Sequence, residues 1–278
     1  MCLDTLGNYL IAKPSYEDWE GFVAFAVLGQ GPDGTRASFK AEDDEPSRRE
    51  LEAMLTPLKL TWLSLEHGRT VARIPSFDEQ LDTPPTFAAL ASTKAGNTSL
   101  TSTKADDTSL ASQKADAAIV HAPGYAAAVT TADCIPVVIA SAAFSRIAVI
   151  HAGWRGMAAG VIEECCLGFI SSCGEALPKD TRAWIGPAIA GSDYEITDEV
   201  RAQLLASPHV CPGHFVPTRK GHCLADLPAM AHAKLVAAGI RPNNIAQHPE
   251  STFRNVRYHS ARRDGEKAGR MAIVVGIL

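Results

Sequence analysis

Residues 130–156 read TTADCIPVVIASAAFSRIAVIHAGWRG, and they set Asp133-Cys134 and His151 at the two ends of one apolar stretch. A thiol and an imidazole so placed can ligate a metal, or act as a nucleophile with its base. Each also has a plainer reading, Cys134 as a small buried hydrophobe and His151 as a satisfied turn histidine. The six residues HAGWRG add weight to a site. Gly153 and Gly156 permit close backbone approach, Trp154 can support a flat ligand, and Arg155 falls at a predicted helix N-terminus, where an anion is favoured. His67, in LEHGRT, is a third group of the same kind. His67, Cys134 and His151 match a catalytic zinc site, with three protein ligands and a position open to water, better than a structural site with four. Spacing leaves the thiol nucleophile with a histidine base equally open.

The elements that must position these groups are legible in the hydrophobic pattern. FVAFAVLG reads as a strand, EPSRRELEAMLTPLK as a helix entered through Pro46, and LTWLSLEHG as a strand that ends at His67-Gly68. From Ala115 four strands follow closely: ADAAIVHA, YAAAVTTAD, IPVVIASA and RIAVIHAG. A helix comes next, with Met157, Val161, Cys165 and Phe169 as one apolar stripe and Glu163 and Glu164 on the polar face. TRAWIGPAI is a further strand, and two helices are expected, one capped by Thr197 and one running from Asp226 to Gly239. FRNVRYHS and the terminal RMAIVVGIL read as strands, so the fold class is α/β or α+β with a mixed sheet.

Composition narrows the partners. The chain has 278 residues, 46% of them hydrophobic and 21% charged, with a net charge of -5. That is ordinary globular material with no basic field for nucleic acid. No apolar window reaches the length of a membrane span, and no leader pattern opens the chain, so a cytoplasmic location without membrane partners is expected. Seven cysteines form an odd set without a disulfide-like spacing. Residues 91–120 carry a decamer, ASTKAGNTSL, TSTKADDTSL, ASQKADAAIV, rich in Ser, Thr, Ala and Lys. Units so short and polar cannot bury a face, so residues 91–113 read as a loop inserted in a single domain spanning 1–278.

TADCIPVV, HAGWRG, IGPAIAGSDYEI and HSARRDGEKAGRMA, in that order after an earlier HG, closely resemble the multicopper polyphenol oxidase or laccase-domain family, whose YfiH-type bacterial members are understood as purine nucleoside phosphorylases. The resemblance covers roughly residues 60–278. It implies a four-layer α/β/β/α arrangement of mixed sheets, related to the cytotoxic necrotizing factor catalytic domain. It also implies a zinc site formed by His67, Cys134 and His151. The implied activities are phosphorolysis of adenosine, inosine, guanosine and methylthioadenosine, and deamination of adenosine, by a monomer or homodimer whose partners are a purine nucleoside and phosphate. Copper oxidation fits poorly, because the chain has nine histidines and no HxH pair.

Those reactions suggest roles. Asp133 and Glu195 are the candidate carboxylates to shuttle a proton in deamination, and Arg155 and Arg270, with Arg263, are candidates to hold phosphate beside Trp154. Each has an alternative: a turn cap for Asp133, an ion pair for Glu195, a solvated face for Arg262 and Arg263. The chain departs from the family pattern at Ser251, where a cysteine is common, and at Leu28, near where an arginine would fall. Two other functions stay open. Cys134 as the nucleophile of a hydrolase or amidase acting on a peptidoglycan precursor is one, and a nucleotide-binding protein without turnover is the other.

Overall fold

The computed structural model describes residues 3–14, 19, 21–31, 34, 36–40, 44–75, 112–170 and 176–278. The first part supplies β1 (Leu3–Leu6), β2 (Tyr9–Ala12), β3 (Phe22–Val27), α1 (Glu45–Leu55), β4 (Lys59–Ser64) and β5 (Val71–Ile74). The middle supplies β6 (Ser112–Lys114), β7 (Ala117–Val120), β8 (Tyr125–Thr131), β9 (Ile135–Ser141), β10 (Arg146–Ala152), α2 (Trp154–Ala159), α3 (Val161–Ile170) and β11 (Arg182–Ile185). The last part supplies β12 (Glu195–Thr197), α4 (Asp198–Leu205), β13 (Phe215–Pro217), β14 (His222–Ala225), α5 (Leu227–Ala237), β15 (Ile245–Gln247), α6 (Ala261–Asp264) and β16 (Met271–Ile277).

Two large mixed sheets dominate, ordered β1-β2-β3-β16-β8-β4-β6 and β15-β11-β9-β10-β7-β5, with a small sheet β12-β14-β13 beside them. Their central strands are near-continuous runs of Ala, Val and Ile, buried on both faces, as strands covered from both sides must be. Val129, Ile273 and Val275 of the first sheet pack against Val138, Ile147 and Trp184 of the second. Leu51 and Leu55 of α1 cover the outer face of the first sheet, and Val161, Phe169, Met230 and Leu235 of α3 and α5 cover the second. The order of layers is therefore helix, sheet, sheet, helix.

Two expectations need correcting. The apolar stripe from Met157 to Phe169 crosses two helices, because Gly160 takes a positive φ of 86° and ends α2 before α3 begins. FRNVRYHS is not a strand. Its backbone turns through Ser251 to Asn255, with the Arg254 and Asn255 amides bonding the Ser251 carbonyl, so local turn bonding takes the place of a ladder. The decamer insertion, residues 91–113, lies outside the described residues except for Ser112 and Gln113 of β6.

The topology explains why the site forms where it does. β8 belongs to the first sheet and β9 to the second, so the turn Ala132–Cys134 carries the chain from one layer to the other. β9 and β10 pair antiparallel with Ile135 opposite Ala152 and Pro136 opposite His151. That register brings Cys134 beside Gly153, just past the paired ends.

Candidate functional site

His151, on buried β10, reaches back across the layers, and its Nδ1 donates to the Thr130 carbonyl at 3.0 Å. A carbonyl can only accept, so the hydrogen sits on Nδ1 and Nε2 keeps a lone pair. That Nε2 is buried and has no hydrogen-bond partner. Burial, with the nearby His67 ring adding to it, pushes the imidazole down to about 4. Cys134 lies on the same side. A methyl carbon built on Gly153 would sit 3.0 Å from Cys134 Sγ and 3.6 Å from His151 Nε2, so both atoms border the space this glycine leaves open. Burial first, and then Asp133, push the thiol up to about 11.

His67 completes the group. Its ring stands edge-on to that of His151, with centroids 5.4 Å apart. It follows β4 in a turn with φ of 58°, and the turn is held by Asp116, whose carboxylate accepts from the Glu66 amide (3.0 Å) and the Gly68 amide (2.9 Å). The Asp116 carbonyl also accepts the His151 amide at 2.8 Å. Fully buried Asp116 thus fixes two of the three groups, and sequence reasoning missed it. Gly156 has a spatial role too: a methyl there would come 3.0 Å from the Gly68 carbonyl, so this glycine lets α2 approach the His67 turn.

The donor set fits a soft, borderline metal such as zinc. One buried imidazole nitrogen is unpartnered, its other nitrogen is tied to a carbonyl as in many ligating histidines, and a thiol and a second imidazole stand next to it. Among the described residues no three His, Cys, Asp or Glu groups are gathered at ligand spacing. Burial raises the thiol and lowers the imidazole, so the two form a neutral pair, and either metal binding or nucleophilic use would require the thiol proton to leave.

The other predicted residues divide sharply. Arg155 is exposed, lies 4.4 Å over the Trp154 ring and donates no hydrogen bond among the described residues. One face of Trp154 is therefore already covered. Arg270 spends Nη1 on the Ala268 and Gly269 carbonyls, and its charge reaches both Cys134 and His151. Arg263 is consumed. It forks onto Asp264 and donates to the carbonyls of Thr252, Phe253, Asn255 and Tyr258, so it braces the turn and has no donor left for phosphate.

Both expected carboxylates are likewise committed. Asp133 accepts from Thr252 Oγ1 (2.6 Å), Ser260 Oγ (3.0 Å) and the Arg262 amide (2.7 Å), a structural node at a residue with φ of 85°. Glu195 accepts from Thr218 Oγ1 and Arg219, and the hydrogen bonds from these two hold it below the usual carboxylate range. Its neighbour Tyr194 lies closer to the Asp133–Cys134 turn, through Arg262. Half-buried Tyr194 packs into the core under the second sheet, Arg262 lies 4.8 Å over its ring, and burial, with Cys134 adding to it, pushes the phenol up to about 12. Adjacent residues of extended chain turn to opposite sides, and nothing in the spacing said which of the two would point inward. The departures also find their places. Leu28 is fully buried against Tyr258 and Met271, and Ser251 Oγ donates to Asp193 and accepts the Ala190 amide.

Comparison with known proteins now decides the family. The family described as multi-copper polyphenol oxidoreductase laccase matches residues 40–278. The chain belongs to that family. This laccase-like chain is 36% identical over 236 residues to purine nucleoside phosphorylase YfiH of Shigella flexneri, covering 84% of this chain and 81% of that one. The protein of the same name from Escherichia coli matches at the same identity and coverage. Among solved structures, the hypothetical protein YfiH of Bacillus licheniformis superposes with a TM-score of 0.76 over 98% of this chain and 97% of that one, at 21% identity. The likeness extends over the whole mixed-sheet fold.

Proposed function

We propose that this protein is a zinc-dependent purine nucleoside phosphorylase, with His67, Cys134 and His151 as the metal ligands and Arg155 and Arg270 as the phosphate clamp. The observation that carries the reading is the buried, unpartnered Nε2 of His151, which with the Cys134 thiol borders the space left open at Gly153, within reach of the Arg270 charge. The names of the family relatives support it.

In this reading the nucleoside is adenosine, inosine, guanosine or methylthioadenosine. Arg155 and Arg270 neutralise phosphate and aim one of its oxygens at C1′ of the ribose, while the purine leaves with the bonding pair. A zinc ion bound at the three ligands supplies a Lewis acid and a water of lowered pKa. His151 remains neutral, held through Nδ1 by Thr130, and the buried wall of β8, β9 and β10 excludes water from its inner side. We rank adenosine deamination behind phosphorolysis, because Asp133 and Glu195 are both taken by other partners and neither is free to move a proton.

The test is metal content by mass spectrometry beside an adenosine assay with and without phosphate. About one zinc per chain, with adenine released only when phosphate is present, is the expected result. Absence of metal together with absence of purine product overturns it.

A further inference from the structure

Tyr194 and Tyr125 both lack a hydroxyl partner among the described residues, but Tyr125 lies on β8 with Lys59 over its ring, whereas Tyr194 lies under Arg262 next to the Asp133–Cys134 turn. Tyr9 Oη donates to Glu50, and Tyr258 Oη donates to Glu250 and meets His248 at 2.7 Å. Tyr194 Oη has no hydrogen-bond partner among the described residues. Its ring cannot easily turn away, because Arg262 covers it and is itself fastened at two points: its amide to Asp133, the residue before Cys134, and its Nη1 to the Glu195 carbonyl at 2.9 Å. The Tyr194 carbonyl is also pinned, accepting the Ala225 amide at 2.9 Å. The result is a phenol held under Arg262, whose amide is bonded to the residue before Cys134, with its donor unused.

Phosphorolysis makes two demands that these groups meet separately. The entering phosphate is an anion and calls for cations; the departing purine is a neutral heterocycle gaining an electron pair and calls for a donor. Arg155 and Arg270 suit the first. Resting on the phosphorylase reading above, we propose that Tyr194 is the hydrogen-bond donor to the leaving purine. As a phosphate oxygen bonds to C1′, the C1′–N9 bond breaks and its electron pair passes into the purine ring. N7 then accepts a hydrogen bond from the Tyr194 hydroxyl, which keeps its proton, and the released base takes its own proton from water. No oxidant or further reactant is needed.

The test pairs Y194F with two nucleosides in the zinc-loaded protein. Phenylalanine keeps the ring under Arg262 and removes only the oxygen. Inosine has a free N7, whereas 7-methylguanosine carries a methyl there and is already cationic, so it cannot accept the bond and leaves without it. The expected result is a fall in kcat of at least about tenfold on inosine, with 7-methylguanosine within about threefold of wild type. Equal falls on both substrates, or no fall on either, overturn the proposal while the phosphorylase reading stands. A wild-type protein that turns over neither nucleoside overturns that reading, and this one with it. Melting temperature and zinc content of Y194F are measured alongside; a variant that loses either and falls equally on both substrates also counts against the proposal.

Discussion

Two segments meet at the site and use their polar groups in opposite ways. Residues 130–156 present a thiol, an imidazole nitrogen and a guanidinium that the fold leaves unspent. Residues 251–270 carry more charge, yet most of it is spent: Arg263 on Asp264 and four carbonyls, Ser260 on the α6 cap and Asp133, Arg254 on Asp193. The difference teaches that density of charged residues does not mark chemistry. A buried donor or acceptor without a partner says more when it lies beside other ligating groups, as His151 Nε2 does next to His67 and Cys134.

Substitutions can break this contrast, and the largest effect belongs to the unspent segment. Cys134→Ser should lower phosphorolysis by about a thousandfold and remove most bound zinc, with a melting temperature close to that of zinc-free wild type. A stable, zinc-loaded, fully active variant would sink the metal assignment. Next comes acid sensitivity. Burial lowers the pKa of His121, His151, His248 and His259. In the unfolded chain they titrate near 6.5, so below that pH the unfolded state binds more protons and stability drops as pH falls. In zinc-free protein, denaturant midpoints should give a loss of at least about 2 kcal/mol between pH 7.5 and 5, most of it from His151 at about 4. A flat profile would show that these rings are not buried neutral.

Arg263 sharpens the contrast from the other side. Arg263→Ala removes a brace with six contacts and should cost about 2 kcal/mol of stability, while kcat and KM of the folded enzyme stay within about threefold. A selective rise in KM for phosphate would instead return it to the clamp. The smallest effect is at Arg155. Being exposed, it should tolerate Arg155→Ala without a measurable stability change, and kcat/KM should fall about tenfold through the phosphate term. An unchanged rate would remove Arg155 from the proposed clamp and leave Arg270, of the other segment, as its remaining cation.

Much of the framework was visible beforehand because it rests on local pattern. The runs AAIV, YAAAVTT, IPVVIAS and RIAVIHA are strands, and Asp226 caps its helix by accepting the Ala229 amide as expected. Gly160 was the local exception. A stripe repeating every four residues continues across a helix break, so periodicity alone could not register it. Asp116, Tyr194 and Arg262 were not legible either, since nothing in their neighbourhoods separates a residue that points at the site from one that points past it.

The sequence by itself determined the types and chain order of His67, Cys134 and His151, the strands that end at them, and the glycines that HAGWRG places there. Only the tertiary structure decided which charged groups remain available. Asp133 meets Thr252 and Ser260 from 119 and 127 residues away, and Arg263 finds its carbonyls only once that turn has closed. Hydrogen-bond partnership is set by what the fold brings within about 3 Å, and a linear pattern carries that information only for near neighbours.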